Sequence, residues 1–292
     1  MKCIRVGSRE SKLAVIQAEI AIAAIRQGDP ETAVQLVTMK TTGDKILDRT
    51  LDKVGGKGLF VKELDAALLE KRVDVTVHSG KDLPMDIDPK LPLVAFSRRA
   101  DPRDVLVLPE GVTELDKSRP IGCASRRRAV QLAALFPEMD IQPVRGNVQT
   151  RLRKLDEGQY SALVLAAAGL ERLGLTHRIS RYFTTDEMIP AAGQGILAAQ
   201  MRAGEDSGFL SAFADRDGTD CMLAERAFVK ELDGGCSSPV AAYATVTGET
   251  IHLTGMDVDE HDRPIIRQIE GPRTEGEALG RALAQQIRRR EV

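Results

Sequence analysis

Strand-like runs alternate with helix-like runs through the first two thirds of the chain, and this alternation limits the fold more than any other feature. Ile4 to Val6 reads as a strand, Lys12 to Arg26 as a helix and Ala33 to Met39 as a strand. Leu59 to Lys71 reads as a helix and Val73 to His78 as a strand. A second series follows, with strands near Pro120–Cys123, at Ile141–Val144 and at Ala162–Leu165. Helices at Arg126–Phe136, at Val148–Glu157 and from Gly169 onward separate and follow them. Such alternation marks α/β domains whose helices cover a mostly parallel sheet.

Two punctuated stretches, Ser97 to Arg103 and Ile189 to Gly195, divide the series. Two crossings between the same pair of units imply two α/β domains joined by a double hinge. The tail differs, with a helix at Asp220–Leu232, strands near Val240–Thr247, Ile251–Met256 and Ile265–Ile269, and a closing helix at Glu275–Arg289. It reads as a small α+β third domain. The expected division is residues 1–98 with 195–215, residues 99–194, and residues 216–292.

Composition narrows the function classes. A net charge of -2 over 292 residues gives no general pull toward DNA or anionic membrane. Aromatics at 3% with no Trp argue against a base-stacking surface. The longest apolar runs are too short to span a bilayer, and Met1 to Gly7 carries no signal-peptide core, so a cytoplasmic protein is expected. Cys3, Cys123, Cys221 and Cys236 form no C-x-x-C pair, and His78, His177, His252 and His261 lack metal-ligand spacing. No structural metal is expected.

The chemistry-bearing residues collect where strands end. Ser125-Arg126-Arg127-Arg128 follows one strand and opens a helix, where unpaired N–H groups and the dipole already favour an anion. Arg145-Gly146-Asn147-Val148-Gln149-Thr150-Arg151 repeats the design at the next junction. Ligands of open α/β sheets bind beyond the carboxyl ends of strands, so both junctions aim guanidiniums at one crevice. Either carboxylate or phosphate would suit them, and no P-loop pattern argues for a nucleotide. Lys81 and Asp82 follow another strand end, in His78-Ser79-Gly80-Lys81-Asp82-Leu83-Pro84, where Asp82 reads as a catalytic carboxylate or a loop ion pair. Arg9 and Ser11 occupy the same kind of mouth, and Lys57 sits in the Gly-rich stretch Val54 to Phe60, either a loop able to close over a cleft or a simple lead-in to the next helix. Cys236 lies in Asp233-Gly234-Gly235-Cys236-Ser237-Ser238-Pro239, a turn that either presents a thiol to be reached or holds a buried structural cysteine, readings these seven residues leave equal.

Together these motifs resemble the porphobilinogen deaminase (hydroxymethylbilane synthase) family of tetrapyrrole biosynthesis. The resemblance rests on Ser8 to Ser11, Val54 to Glu63, His78 to Pro84, Asp101-Pro102-Arg103-Asp104 and Arg145 to Arg151. Leu165 to Leu173, Pro190 to Gly195 and the Gly-Gly-Cys turn complete it. It implies two periplasmic-binding-protein-like α/β domains plus a small domain carrying the cysteine. It also implies a dipyrromethane cofactor held by Cys236 through a thioether, and a transferase adding four porphobilinogen molecules to that primer. Hydroxymethylbilane and ammonia are then the products, with porphobilinogen as the small-molecule partner and a monomer as the expected state.

By the same resemblance Asp82 is catalytic. Lys81, Ser125, Arg127, Arg128 and Arg145 match cofactor-binding positions, and Arg9, Ser11, Lys57, Arg151, Arg172 and Gln194 match substrate-binding ones. Deamination to an electron-poor azafulvene suits a buried carboxylate able to stabilise positive charge and move protons. Three departures stand out. Gly80 replaces the usual methionine, an expected loosening of the loop behind Asp82; Cys123-Ala124 replaces hydroxyl residues; and Arg126 replaces leucine, in reach of compensating at the cofactor. A non-catalytic carboxylate-binding protein and a thiol acyl enzyme are the competing classes, the latter short of a histidine in any cysteine-protease-like local signature.

Overall fold

Three sheets organise the computed structural model, which describes residues 3–41, 61–235 and 238–289. The first contains β1 (Ile4–Arg9), β2 (Val34–Met39), β3 (Val75–Ser79), β4 (Leu93–Phe96) and β10 (Leu197–Gln200), ordered β2-β1-β3-β10-β4. The second contains β5 (Asp104–Val107), β6 (Ile121–Cys123), β7 (Ile141–Pro143), β8 (Ala162–Ala166) and β9 (Arg181–Tyr182), ordered β7-β6-β8-β5-β9. In the first, β1 runs parallel to β2 and β3, while β10 lies antiparallel to β3 and β4. In the second, β6 runs parallel to β7 and β8, while β5 lies antiparallel to β8 and β9.

The two sheets thus share one plan, a single strand opposing the rest. In each, that strand is the first one after the chain crosses over: β5 on the way out, β10 on the way back. The same mixed α/β arrangement therefore occurs twice over. β4, β5, β9 and β10 add to the strands that periodicity announces.

Helices cover these sheets because their apolar residues keep helical spacing. In α1 (Lys12–Gly28) Ala14, Ala18, Ala21, Ile22 and Ile25 are buried, and Ser11 caps the first turn by accepting from Ala14 N at 3.4 Å. Ala18, Ile22 and Ile25 join Val6, Val75, Val77 and Leu197 in one cluster. Further helices are α2 (Lys62–Leu69), α3 (Arg126–Leu135), α4 (Val148–Asp156) and α5 (Ala167–Arg172).

The third sheet is an antiparallel meander of β11 (Ala241–Thr247), β12 (Thr250–Val258) and β13 (Pro264–Pro272). Helices α6 (Arg216–Glu231) and α7 (Gly276–Arg289) pack with it. α6 starts a turn earlier than its apolar pattern suggests, because Asp215 caps it by accepting from Gly218 N at 2.7 Å. The two helices cross closely at Gly280, where a Cβ would stand 2.4 Å from the Ala224 carbonyl oxygen.

The cores are not divided as the sheets are. Met222, Phe228, Ile251 and Leu283 of the third unit share one cluster with Leu83, Phe96, Ile196 and Ala198 beside the first sheet. The second unit instead has two clusters of its own, drawn from residues between Val105 and Met188. First and third units are welded together, and the second is joined to them mainly through the two crossovers.

Candidate active site

Strand direction brings the basic junctions to one place. β1 ends at Arg9 and leads to the Ser11 cap, and β3 ends in a 3-10 turn, Gly80–Asp82, carrying Lys81 and Asp82. Across from them, β6 leads through Ser125 into α3, and β7 leads through Arg145 and Gly146 into α4. Asn147 caps α4 by accepting from Thr150 N at 2.9 Å, which sets Arg151 in its first turn. Arg9, Ser11, Lys81, Asp82, Ser125, Arg127, Arg128, Arg145, Arg151 and Gln194 all line a single cleft of about 780 Å³.

Among the described residues, eight basic side chains and two acidic ones, Glu10 and Asp82, line that cleft. Lys12 and Lys40 belong to the basic set although the sequence reading did not select them. Lys40 follows β2, so the strand-end rule that found Arg9 would have found it too.

Burial and mutual repulsion tune these cations. Burial, with Arg128 next in effect, pushes the half-buried Lys81 ammonium down to about 8, while Asp82 and Asp104 pull it back up. Burial first and Arg128 second lower Arg151 to about 10, and Asp82 opposes the change. Arg151 Nε donates to the Gly146 carbonyl at 2.7 Å. Arg127 and Arg128 are buried, and both are salt-bridged to Asp104 at 2.7 Å. Arg127 Nε is buried with no hydrogen-bond acceptor among the described residues.

Asp82 itself is exposed, where a buried carboxylate was expected. Its turn carries it past the end of β3 into the open mouth of the cleft. Arg172 does not line the cleft; its guanidinium donates to the Gly195 carbonyl at 2.8 Å, in the returning crossover. Cys236 and Lys57 lie outside the described residues. Their neighbours on the cysteine side, Gly235 and Ser238, line the cleft and bond to each other, Gly235 N donating to Ser238 Oγ at 3.0 Å.

Two family models cover most of the chain. The porphobilinogen deaminase, dipyromethane cofactor binding domain, matches residues 4–209, and the porphobilinogen deaminase C-terminal domain matches residues 219–289. The chain belongs to the porphobilinogen deaminase family. A porphobilinogen deaminase of Acetivibrio thermocellus is 58% identical over 284 residues, 97% of either chain. One from Alkaliphilus oremlandii is also 58% identical, over 98% of this chain and 96% of its own. Among solved structures, the periplasmic aliphatic sulphonate binding protein SsuA from Escherichia coli aligns at 12% identity and a TM-score of 0.41, over 80% of this chain and 71% of that one.

Within the porphobilinogen deaminase family the departures noted in the sequence now have places. Arg126 faces away from the cleft and donates to Asp262 at 2.8 Å, at the turn between β12 and β13, so it does not compensate at a cofactor. Cys123 is buried with its Sγ 3.6 Å from the Ser125 carbonyl, while Ala124 lines the cleft. Gly80 does not loosen its turn. A Cβ there would meet Met222 Cε at 2.9 Å and the Gly193 carbonyl at 3.0 Å, so Met222 fills the space from α6. Gly80→Met alone is expected to destabilise by about 1–3 kcal/mol through overpacking. Met222→Ala in the same chain should recover part of that loss, and strictly additive urea midpoints in the double-mutant cycle would refute the exchange.

Proposed function

We propose that the cleft performs the family's stepwise deaminating condensation, joining four porphobilinogen molecules to a dipyrromethane primer and releasing hydroxymethylbilane and ammonia. The observation that carries the reading is the cleft's charge: among the described residues, eight basic groups stand against two acidic ones, enclosed among strand ends. Pyrroles bearing acetate and propionate arms accumulate carboxylates as the chain grows, and guanidiniums bind carboxylates in bidentate fashion.

The donor set fits a carboxylated dipyrrole. Lys81, Ser125, Arg127, Arg128 and Arg145 would hold it, with Cys236 as the anchor, and the buried Arg127 Nε supplies a donor with no acceptor among the described residues. When bound, the primer supplies a nucleophilic pyrrole carbon. The remaining work belongs to the chain. Arg9, Ser11, Arg151 and Gln194 orient the substrate's carboxylates and polar edges, and we assign Lys57 and Arg172 to the same task from the family match. Asp82, facing Lys81 and Arg151, accepts pyrrole N–H bonds, balances positive charge as ammonia leaves, and takes up the ring proton.

We also divide the chain into residues 1–98 with 195–215, residues 99–194 and residues 216–292, a division supported by sheet membership. The protein is read as a cytoplasmic monomer. Among the described residues no helix is long and apolar enough to cross a membrane.

Intact mass tests the reading directly. The purified protein is expected to carry an adduct with the mass of a dipyrrole, and Cys236→Ala is expected to lack it. An unmodified chain that binds porphobilinogen without consuming it would point to a binding protein and overturn the enzyme reading.

A further inference from the structure

Asp104, the first residue of β5, is fully buried and does not line the cleft. Its carboxylate is nevertheless the meeting point of the site's cations. Arg127 Nη2 donates to Oδ2 at 2.7 Å, while Arg128 donates to Oδ1 from Nε at 3.1 Å and from Nη2 at 2.7 Å. Gln194 Nε2 donates to the same Oδ1 at 3.0 Å, and Gln194 Oε1 accepts from Lys81 Nζ at 3.1 Å.

These five residues come from different parts of the chain. Lys81 follows β3 in the first sheet, Asp104 ends the outgoing crossover, Arg127 and Arg128 open α3, and Gln194 lies in the returning crossover. Gln194 Nε2 also donates to the Pro102 carbonyl at 2.6 Å, and Arg127 Nη1 to the Ile189 carbonyl at 2.6 Å, so both crossovers are tied into the cluster.

We propose that Asp104 is a positioning residue of the active site, holding Arg127 and Arg128 directly and Lys81 through Gln194 in one frame across both crossovers. It rests on the preceding reading only for the statement that these three cations face the ligand. One buried carboxylate serves three cations, so the cluster keeps an excess of positive charge for an incoming polycarboxylate. Without the carboxylate, the two guanidiniums would lie buried with no counter-charge, held only by the Ile189 and Val164 carbonyls, and they would turn toward the cleft to regain partners. A purely electrostatic role predicts tighter ligand binding when the negative charge is removed. A positioning role predicts the reverse, because bidentate geometry is lost.

Lys81 reports the coupling without reference to turnover. The charged groups facing it among the described residues include Arg127 and Arg128 from α3, Asp82 from its own turn and Asp104 from β5. Asp104 favours the ammonium form, so its neutralisation should make Lys81 lose its proton more readily.

The test is pH-dependent trace acetylation of Lys81, read by peptide mass spectrometry in the full chain as purified, with acetic anhydride as probe. Asp104→Asn is expected to lower the Lys81 midpoint by roughly one pH unit. Below both midpoints that is a roughly tenfold rise in labelling rate. Asp104→Glu should return the midpoint toward that of the parent. The fraction of chain carrying the dipyrrole adduct should fall in Asp104→Asn and recover in Asp104→Glu. If Asp104→Asn does not fold, Gln194→Leu keeps all the charges and breaks the relay, and it should lower the midpoint in the same direction. An unchanged Lys81 midpoint in a folded Asp104→Asn or Gln194→Leu chain overturns the proposal. A shifted midpoint in a protein that never consumes porphobilinogen would leave the coupling standing and remove only the enzyme reading.

Discussion

Asp82→Asn is expected to slow turnover by about 10²–10⁴-fold while leaving the covalent adduct in place. Asparagine keeps the shape of the side chain and its ability to accept a hydrogen bond. It cannot carry the negative charge that faces Lys81 and Arg151, nor take up a proton. The loss should therefore fall on the chemical step, with substrate carboxylates still held by the arginines. Single-turnover ammonia release measures that step, and intact mass reports the adduct separately. A rate within tenfold of the parent would remove Asp82 from the chemistry. The exposed position of Asp82 does not weaken the expectation, because it puts the carboxylate where a substrate can reach it.

The largest effect on stability is expected at Glu225. This α6 carboxylate has no exposure and accepts from Gly193 N at 2.6 Å, Ala244 N at 2.7 Å and Arg99 Nη2 at 2.5 Å. Arg99 in turn donates to the Gln194 carbonyl at 2.8 Å and lies over the Tyr243 ring, 5.4 Å from its centroid. One carboxylate thus joins the outgoing crossover, the returning crossover, α6 and β11. Glu225→Ala removes the partner of a buried guanidinium and leaves two backbone N–H groups without acceptors, a loss of about 3–5 kcal/mol. Glu225→Gln keeps one acceptor oxygen and should lose less. Urea unfolding midpoints distinguish the two, and a loss below about 1 kcal/mol for Glu225→Ala would show that water or a neighbouring group replaces the pair.

What could be read from the sequence was local. The covered strands, the helices and the basic strand-to-helix junctions follow from periodicity and from residues a few positions apart. Arg127, Arg128, Arg145, Arg151 and Lys81 were visible because each sits beside the strand end that aims it. The strands β4, β5, β9 and β10 were not, since no α-helix separates β4 from β5 or β9 from β10, and Leu197–Gln200 is buried throughout with no alternation. Their identity comes from distant partners, as when Leu197 pairs with Ser79. The same limit hid Asp104, whose five-residue cluster spans positions 81 to 194. Arg126 was misplaced for a different reason. Successive helical residues point about 100° apart, so one of three adjacent arginines can face outward while the other two are buried.

The welded core of the first and third units bears on how the chain is made. Every strand of the second sheet lies between Asp104 and Tyr182, so all of that sheet has been synthesised while the first sheet is still incomplete. The first sheet is closed only by β10, and its shared core waits for Met222 and Phe228 of α6. The middle of the polypeptide is therefore the first part with all its strands, and the beginning must wait for the end. In the order of completion, the arginine-rich wall of the cleft comes before the wall that carries Asp82, although Asp82 itself is made first.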